Sequence, residues 1–323
     1  MHRMKVGVLR GGPSSEYDVS LKSGASVLRN LNEEKYIPVD VLIDRAGVWH
    51  ARGLPLEPRR VLQGLDVAIN AMHGEYGEDG VVQRILEASG VPYTGTRVLG
   101  AALAMNKLTA KKCLSGLEIR LPRHTIVNSD ADLEEVAVRI FNTMSQPVVV
   151  KPVSSGSSVG VSIVHGAQTT AKALEEALGI SSQALVEEFI SGREATCGVL
   201  EHFRGEDVYA LPPIEIIPPK GNTFFDYDAK YSGKSQEVCP SSFSSETKRA
   251  LEDLARQVHR TLGLRHYSRS DFIVTPRRGI YFLEVNTLPG LTSESLYPKA
   301  TAAVGCSFPQ LLDHLIWLAR ERK

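Results

Sequence analysis

The sequence predicts a mixed α/β and α+β chain that is divided into more than one domain. Its 323 residues are too many for one compact hydrophobic core, so we expect two or three domains. Up to about residue 96, apolar strand-like runs alternate with helical segments, which is the pattern of an open parallel α/β sheet. Beyond residue 97, helices and β-rich runs are mixed, and a β-hairpin is predicted within residues 267–290.

Charge and cysteine content exclude several classes of protein. Lysine plus arginine (37) equals aspartate plus glutamate (37), which argues against a general nucleic-acid binder. No apolar run reaches about 18 residues, so we expect a soluble, unsecreted, cytoplasmic protein that does not cross a membrane. The cysteines are far apart and form no CxxC pair, which favours free thiols and no structural zinc; they are Cys113, Cys197, Cys239 and Cys306.

The predicted N-terminal sheet places polar or glycine residues at the carboxyl ends of its strands. The strand in "KVGVLRGG" runs into Gly11 and Gly12, and the strand in "LDVAINAMHG" runs into His73. Ligands of open parallel sheets bind at this edge. A lone histidine after an apolar strand is more often structural, so both interpretations of His73 remain open.

A Ser/Gly loop joins two apolar strands in "VVVKPVSSGSSVGVSIV". Its small residues allow backbone N–H groups to point at an anion, and Lys151 at the strand end adds a cation. The loop is not a P-loop, because no GxxxxGK[ST] pattern occurs and a strand follows it. A mobile surface loop explains this stretch equally well.

Two further stretches carry residues that suit a nucleotide. Lys107, in "MNKLTAKKC", is a candidate phosphate contact, although a lysine near a helix start is usually solvated surface. "VEEFISGRE" places Glu187, Glu188 and Glu194 around an apolar Phe–Ile pair. These carboxylates could accept hydrogen bonds from an adenine amino group and from ribose hydroxyls, and an exposed strand end is the alternative interpretation.

The predicted hairpin opposes two carboxylates. With its turn centred on Arg277–Arg278, Asp271 faces Glu284 and Arg269 faces Asn286 on one side of the strand pair. Directly opposed like charges destabilise such a pair, so a cation is expected between them. Arg269 alone would form a structural ion-pair network. A divalent cation is the interpretation we favour, because one arginine leaves this face net negative.

The all-oxygen donor set of Asp271, Glu284 and Asn286 indicates Mg²⁺ rather than zinc, since it contains no histidine or cysteine. A magnesium site together with a phosphate-binding loop and lysines predicts phosphoryl transfer. The residues alone do not identify the acceptor.

Eight stretches together resemble one known family. They are "GGPSSEYDVSLKSG", "HGEYGEDGVVQ", "YTGT", "KPVSSGSSVGVS", "EEFISGRE", "FFDYDAKY", "RSDF" and "EVNTLPGLTSESLYP", which span nearly the whole chain. In this order they are similar to the D-alanine–D-alanine ligases of the ATP-grasp superfamily. The resemblance implies three domains, at residues 1–96, 97–187 and 188–323, with ATP clamped between the central and C-terminal domains. It also implies that the carboxylate of a first D-alanine attacks the γ-phosphate of ATP, and that the amino group of a second D-alanine attacks the resulting acyl phosphate.

The resemblance implies roles for the residues around the first D-alanine. Glu16 would hold its ammonium group, although the start of the following helix gives this carboxylate a local alternative as a helix cap. Glu16, Ser157 and Tyr231 would form a hydrogen-bonded trio that closes a loop over the site. Arg269 and the backbone N–H of Gly290 would stabilise the oxyanion of the tetrahedral intermediate.

The remaining positions that the resemblance carries over concern the second D-alanine, the nucleotide and the metal. Lys230 and Ser295 would bind the carboxylate of the second D-alanine, Leu296 would line that subsite, and His73 would lie near the first substrate. The implied ATP-binding residues are Lys107, Lys151, Ser157, Glu187, Glu188, Phe189, Ile190, Glu194 and Lys230. The implied ligands of Mg²⁺, expected as two ions with Mn²⁺ as a substitute, are Asp271, Glu284 and Asn286.

Other features of the chain also follow from the resemblance. The long polar segment 219–245 is similar to the loop that closes over the family's active site, and a homodimer is the family's usual assembly. Arg84 and His266 depart from the family pattern, because smaller residues are usual at both positions.

The sequence leaves three alternative functions open. The second substrate could be D-lactate or D-serine, although Tyr231 favours an amine nucleophile. A catalytically silent binding module of this fold is disfavoured, because the set Arg269, Asp271, Glu284 and Asn286 is intact. A dinucleotide dehydrogenase is disfavoured further, since "GVLRGG" is not GxGxxG.

Overall fold

Three β-sheets with flanking helices make up the part of the chain that the structure describes. The computed structural model describes residues 3–154, 156, 159–218 and 236–321. None of the helices in these ranges combines the length and the apolar run that crossing a membrane requires. The four cysteines are free thiols.

The first sheet contains five strands in the order β4-β3-β2-β1-β5. They are β1 (Met4–Gly11), β2 (Tyr36–Ile43), β3 (Trp49–Ala51), β4 (Leu54–Pro55) and β5 (Val67–Asn70), with helices α1 (Tyr17–Asn30), α2 (Pro58–Leu62) and α3 (Val81–Ser89). β1 pairs in parallel with β2 and β5, which confirms the predicted parallel sheet. Val6, Val8 and Leu9 of β1 have no exposed surface, as expected for a central strand that helices cover on both faces. The antiparallel edge formed by β3 and β4 was not indicated by the sequence.

The second sheet is antiparallel and has the order β6-β9-β7-β8. Its strands are β6 (His124–Asn128), β7 (Val148–Pro152), β8 (Ser162–Val164) and β9 (Gln183–Glu188), and the helices of this region are α4 (Val98–Met105), α5 (Lys107–Leu114), α6 (Leu133–Thr143) and α7 (Ala167–Leu178). β7 and β8 are the two strands predicted on either side of the Ser/Gly loop. Gly156 of that loop is described, whereas Ser155, Ser157 and Ser158 lie outside the described residues.

The third sheet has the order β13-β12-β10-β14-β15, with β11 also paired to β10. Its strands are β10 (Arg193–Phe203), β11 (Glu206–Ala210), β12 (Ile214–Ile217), β13 (Gln236–Val238), β14 (Tyr267–Thr275) and β15 (Gly279–Asn286), and α8 (Ser245–Thr261) packs against it. β13 pairs with β12, so the prediction of an unbroken loop from 219 to 245 is wrong for residues 236–238. Residues 219–235 lie outside the described residues.

The hairpin of β14 and β15 has the predicted pairing at its inner end. Arg269 faces Asn286 and Asp271 faces Glu284, but from Phe272 onward the partners shift by one residue, because a β-bulge falls between Asp271 and Phe272. Thr275 therefore pairs with Gly279, and the turn is centred on Arg277 rather than on Arg277–Arg278.

The last helices of the chain return to the first sheet. α9 (Leu296–Ala303) is followed by α10 (Phe308–Glu321), whose Leu311, Leu315 and Ile316 belong to the same buried cluster as Val6 and Ile69 of β1 and β5. The C-terminal helix therefore covers apolar surface of the N-terminal sheet, a packing that the order of motifs along the sequence does not indicate.

The two positions that depart from the family pattern behave differently. Arg84 is exposed on α3, so its size has no packing cost. His266 is fully buried with a positive φ of 68°, and its Nδ1 accepts a hydrogen bond of 3.1 Å from the backbone N–H of Gly95. The backbone N–H of His266 donates to the Glu201 carboxylate at 2.7 Å. Together with Arg265, which donates to the carbonyls of Tyr93 and Gly95, it ties segment 93–96 to the start of β14.

Replacing His266 by asparagine is expected to flatten the pH dependence of stability. Burial, and then the charge of Arg265, lower the pKa of His266 to about 2, so below pH 6.5 the unfolded chain binds a proton that the folded chain does not. The histidine's contribution is thus present above pH 6.5 and is lost as the pH falls. The asparagine side chain would keep an acceptor for Gly95, would tolerate the positive φ and would not titrate. Between pH 7 and pH 5 the native chain should lose about 2 kcal/mol more unfolding free energy than the variant. Urea unfolding at both pH values measures this difference, and equal losses in the two proteins would contradict it.

Candidate active site

Three adjoining cavities lie among the second and third sheets, helix α1 and the segments that follow β1 and β5 of the first sheet. Lys107 and Glu284 line both the first and the second cavity, Glu16 and Glu78 line both the second and the third, and Arg269 lines both the first and the third. A group bound in one of these spaces is therefore next to groups bound in the others.

The first cavity, of about 270 Å³, lies between the second and third sheets and has a charged end and an apolar end. Every described residue predicted for ATP binding lines it, namely Lys107, Lys151, Glu187, Glu188, Phe189, Ile190 and Glu194. Ser157 and Lys230 lie outside the described residues.

Two residues that could have been solvated surface are instead buried. The Lys107 side chain is 7 % exposed, with its Nζ 3.3 Å from Glu284 Oε2. The Glu187 side chain is 3 % exposed and lies between two lysines, 2.7 Å from Lys111 Nζ and 2.6 Å from Lys151 Nζ. Burial opposes ionisation of Glu187, but the two lysines outweigh it and lower its pKa to about 2. The exposed-surface interpretations of Lys107 and Glu187 are therefore wrong. Lys111 was not among the predicted site residues, although its place one helical turn after Lys107 was a usable signal.

Glu188 and the hairpin are also joined. The Glu188 carboxylate accepts a hydrogen bond of 3.0 Å from the backbone N–H of Arg123 and one of 2.9 Å from Arg278 Nη2. This contact links the end of the second sheet to the turn of the hairpin across the first cavity. The two walls of that cavity are thus fastened together by an ion pair at its rim.

The polar residues of the hairpin gather as the sequence predicted. Arg269 Nε and Nη2 each donate at 3.0 Å to one oxygen of Asp271, which also accepts from Thr196 Oγ1 at 2.6 Å and from Asn286 Nδ2 at 3.2 Å. Since Lys107 pairs with Glu284, each carboxylate has its own cation, and the expectation that the hairpin face is net negative is wrong. No cluster of three His, Cys, Asp or Glu suited to a metal occurs among the described residues, so a cation here would depend on two carboxylates, Asn286 and oxygen atoms of a ligand.

The third cavity, of about 780 Å³, contains the described residues predicted for the substrates. They are Glu16, His73, Arg269, Gly290, Ser295 and Leu296, while Lys230 and Tyr231 lie outside the described residues. The hydroxyl of Ser295 accepts a hydrogen bond of 3.1 Å from the backbone N–H of Thr292. This serine is therefore held at the start of α9, where its side chain faces the cavity.

Glu16 meets the Ser/Gly loop directly. A Cβ atom on Gly156 would lie 2.1 Å from Glu16 Oε2, so a larger residue at this position would displace the Glu16 carboxylate from the loop. Glu16 precedes α1, yet its side chain makes no capping hydrogen bond to that helix. The helix-cap interpretation of Glu16 is therefore wrong, and the contact with the loop agrees with the loop-closing role that the resemblance implies.

A second carboxylate, partly buried and not singled out by the sequence, belongs to Glu78, which lines the second and third cavities together with Glu16. Glu78 accepts from the backbone N–H of Gly74 and from the N–H of Leu288, and the hydroxyl of Thr287 also donates to it, each at 3.1 Å. Burial and the charge of Glu16 raise the pKa of Glu78 to about 7. Its signal was the density of carboxylates in the glycine-rich stretch "HGEYGEDG". Glu78 links the N-terminal sheet to the loop that follows β15.

His73 lies on the other side of Glu78. Its Nδ1 is 3.9 Å from Glu78 Oε1, and its Nε2 is 2.7 Å from the hydroxyl of Ser23. Burial lowers the pKa of this histidine, which favours the neutral imidazole. The imidazole ring is therefore a fixed part of the wall of the third cavity and carries nitrogens that can form hydrogen bonds.

Comparisons with known proteins agree with this geometry. A model of the D-ala D-ala ligase N-terminus matches residues 5–60 and 50–96, and a model of the D-ala D-ala ligase C-terminus matches residues 116–317. The chain is 40 % identical to D-alanine–D-alanine ligase of Syntrophobacter fumaroxidans, with 99 % of this chain and 98 % of that protein covered. It is 42 % identical to the enzyme of the same name from Geobacter sulfurreducens, over 97 % of this chain and 93 % of that protein.

Solved structures give the same result. The VanG D-Ala:D-Ser ligase from Enterococcus faecalis superposes with a TM-score of 0.85 at 32 % identity, and the match covers 98 % of this chain and all of that one. The D-alanine–D-alanine ligase from Coxiella burnetii matches with a TM-score of 0.85 at 27 % identity, over 100 % of this chain and 95 % of that one. The resemblance found in the sequence is confirmed: the chain belongs to the D-ala D-ala ligase family and has its ATP-grasp fold.

Proposed function

We propose that this protein joins two D-alanine molecules into D-alanyl-D-alanine for peptidoglycan synthesis, with conversion of ATP to ADP and phosphate. The observation that carries this proposal is the position of Arg269, whose side chain lines both the cavity with the predicted ATP residues and the cavity with the predicted amino-acid residues. A phosphoryl group that passes from a nucleotide to an amino acid would move beside this guanidinium.

In the first step, a carboxylate oxygen of the first D-alanine bonds to the γ-phosphorus of ATP, and the bond to the departing ADP oxygen breaks. Glu16 would hold the ammonium group of this D-alanine, because it is a buried carboxylate on the wall of the third cavity. Lys107 and Lys151 would offset the phosphate charge in the first cavity. The product of this step is D-alanyl phosphate.

In the second step, the amino nitrogen of the second D-alanine bonds to the acyl carbon, and a tetrahedral oxyanion forms. Arg269 and the N–H of Gly290, which line the same cavity, would stabilise that oxyanion. The oxyanion then collapses, inorganic phosphate leaves, and the nitrogen gives up its extra proton. Ser295, together with Lys230, which lies outside the described residues, would bind the carboxylate of the second D-alanine, and Leu296 would line that subsite.

The donor chemistry of the hairpin fits Mg²⁺ or Mn²⁺. Asp271, Glu284 and Asn286 offer two carboxylates and an amide oxygen at adjacent cavity walls, and phosphate oxygens would complete the hard oxygen set. When bound, such an ion supplies positive charge against the transferred phosphoryl group. In the structure, Arg269 pairs with Asp271 and Lys107 pairs with Glu284, and these ion pairs hold the two carboxylates in place.

The proposal also covers the domain boundaries of the protein, its oligomeric state and its cellular compartment. We assign its three domains to residues 1–96, 97–187 and 188–323, each of which contains one sheet, with α10 packed back onto the first. We also propose a homodimer in the cytoplasm, and four free thiols suit that compartment.

The test is release of phosphate from ATP and Mg²⁺ with D-alanine, with L-alanine, and with D-alanine plus D-lactate or D-serine, followed by mass detection of the product. D-alanyl-D-alanine formed only from the D-amino acid would support the proposal. D-serine is a specific second candidate, because the VanG structure is described as a D-Ala:D-Ser ligase. A D-Ala-D-Ser product or a depsipeptide would move the assignment to that class, and absence of turnover would contradict it.

Replacing Glu78 by glutamine is expected to weaken the site for the first D-alanine. Glutamine offers one oxygen where the carboxylate offers two, so its NH₂ group would face the N–H of either Gly74 or Leu288. We expect kcat/KM for D-alanine to fall about tenfold and the unfolding free energy to fall by about 1–3 kcal/mol. Glu75→Gln, at an exposed position of the same loop, is the matched control. Unchanged kcat/KM in the Glu78 variant would remove Glu78 from the site.

A further inference from the structure

Lys111 is a buried cation that does not line the first cavity. Its side chain is 1 % exposed, and it lies one helical turn after Lys107 on α5, whose start is fixed by the Asn106 side chain accepting from Thr109 N–H at 2.9 Å. Lys107 lines the cavity, whereas Lys111 lies behind it and reaches Glu187. Lys107 therefore forms part of the wall of the first cavity, and Lys111 lies behind that wall in contact with Glu187.

The contacts of Lys111 define a three-charge cluster of Lys111, Glu187 and Lys151. The ammonium of Lys111 is 2.7 Å from one oxygen of Glu187, and that of Lys151 is 2.6 Å from the other. Burial lowers the pKa of Lys111, and the Glu187 carboxylate beside it opposes that change. One carboxylate cannot compensate two ammonium groups, so the cluster keeps one unit of positive charge. Lys151, which lines the first cavity, presents that charge to a ligand.

Stability alone is a weak reason for this arrangement. Buried ion pairs are weak contributors to stability, because the cost of desolvating the ions offsets most of their attraction. An apolar side chain of similar length would fill the place of Lys111 without that cost. A lone pair of Glu187 and Lys151 would also be neutral, and a neutral pair attracts an anion much less than a charged cluster does.

We propose that Lys111 is a positioning residue of the nucleotide site: it shares the Glu187 carboxylate with Lys151, so that the cluster keeps one net positive charge, which Lys151 presents to the phosphates. This inference rests on the proposed function, since it takes a nucleotide triphosphate as the anion in the first cavity. It assigns Lys111 an effect on nucleotide affinity and none on the amino-acid subsites.

The experiment compares Lys111→Gln with Lys112→Gln, the same substitution at the exposed neighbouring lysine. Glutamine at 111 can still donate to Glu187 but carries no charge. We expect the Kd of a non-hydrolysable ATP analogue with Mg²⁺, measured by calorimetry, and the KM for ATP to rise about tenfold or more in Lys111→Gln. The KM for D-alanine should change less than twofold, and the Lys112 variant should match the native protein in all three constants. If Lys111→Gln does not fold, Lys111→Met carries the same expectation without a buried polar group.

A conservative variant tests the role of charge. Lys111→Arg keeps a positive charge beside Glu187, whereas Lys111→Gln does not. ATP affinity closer to native in Lys111→Arg than in Lys111→Gln would support the inference. Native ATP affinity in Lys111→Gln, equal rises in KM for ATP and D-alanine, or the same loss of ATP affinity in both variants would each overturn it. A native protein that binds the analogue but releases no phosphate with D-alanine would contradict the proposed function instead, and leaves the affinity comparison valid.

Discussion

Replacing Arg269 by alanine is expected to lower kcat by about 10²–10³-fold, because one preorganised donor to the oxyanion is lost. The guanidinium is held by Asp271 through two hydrogen bonds of 3.0 Å, so it is fixed before substrates arrive. Burial works against its charge, but Asp271 outweighs this and the pKa of Arg269 is raised. The side chain is therefore a permanent cation between the first and the third cavity. Steady-state phosphate release with D-alanine measures the effect.

Arg277→Ala is the matched control, since it removes the same charge from the exposed turn of the same hairpin. It should leave kcat within twofold. Arg269→Lys keeps the charge but loses the two-pronged geometry, so its kcat should lie between those of the native protein and Arg269→Ala. The alanine variant also leaves Asp271 without its cation, so thermal unfolding is measured in parallel. A folded Arg269→Ala protein with native kcat would contradict the role in catalysis.

The hairpin indicates how far sequence patterns specify this site. Alternation of side chains and the turn signal "TPRRG" predicted that Asp271 faces Glu284, and the structure confirms the pair. Two departures offset each other in that result: the turn is centred on Arg277, and a bulge beyond Asp271 adds one residue to β15. A bulge leaves no clear local signal in one sequence, because it depends on how the strand packs. The pairing at the site was predictable, whereas the path of the chain to it was not.

The buried charges were the least predictable part. Lys111 and Glu78 are ordinary polar residues in their local sequence, and only the packing of α5 on the second sheet and of the N-terminal loop on segment 287–288 buries them. The local sequence around Lys107 likewise predicts a solvated surface lysine, whereas in the structure its Nζ lies 3.3 Å from Glu284 Oε2. Burial depends on contacts between distant parts of the chain, so composition and spacing cannot supply it. The family could be identified from the sequence because several of its motifs occur together. Their order along the chain carries long-range information that no single motif contains.

Charge balance connects the separate parts of the site. Asp271, Glu284 and Glu187 face four cations, which are Arg269, Lys107, Lys111 and Lys151. This group of seven described side chains is therefore positive by one unit, which suits a site for phosphates. A divalent cation that displaced Arg269 or Lys107 from its carboxylate would free that side chain for the phosphates. In the structure, Arg269 holds Asp271 and Lys107 holds Glu284, the two carboxylates that we propose as ligands of this cation.

Replacing Glu284 by glutamine is expected to raise the Mg²⁺ concentration for half-maximal activity by about tenfold or more. One of the two carboxylates of the donor set becomes an amide, and Lys107 loses the partner that holds its Nζ at 3.3 Å. The Glu284 side chain is 26 % exposed but that of Lys107 is only 7 % exposed, so the variant leaves a buried ammonium with an amide in place of a carboxylate, and the unfolding free energy should fall by about 1–3 kcal/mol. Phosphate release measured across a Mg²⁺ series, and again across a Mn²⁺ series, gives the comparison.

The control for Glu284→Gln is Glu176→Gln, which makes the same change at an exposed position of α7. It should show the native Mg²⁺ requirement. Asp271→Asn tests the other carboxylate, but that substitution also releases Arg269, so its kcat should fall at saturating Mg²⁺ as well. Glu284→Gln, in contrast, should recover a large part of its activity when Mg²⁺ is raised, because Arg269 keeps its partner. A native Mg²⁺ requirement in Glu284→Gln would contradict the metal assignment and leave Glu284 as the counter-ion of Lys107 alone.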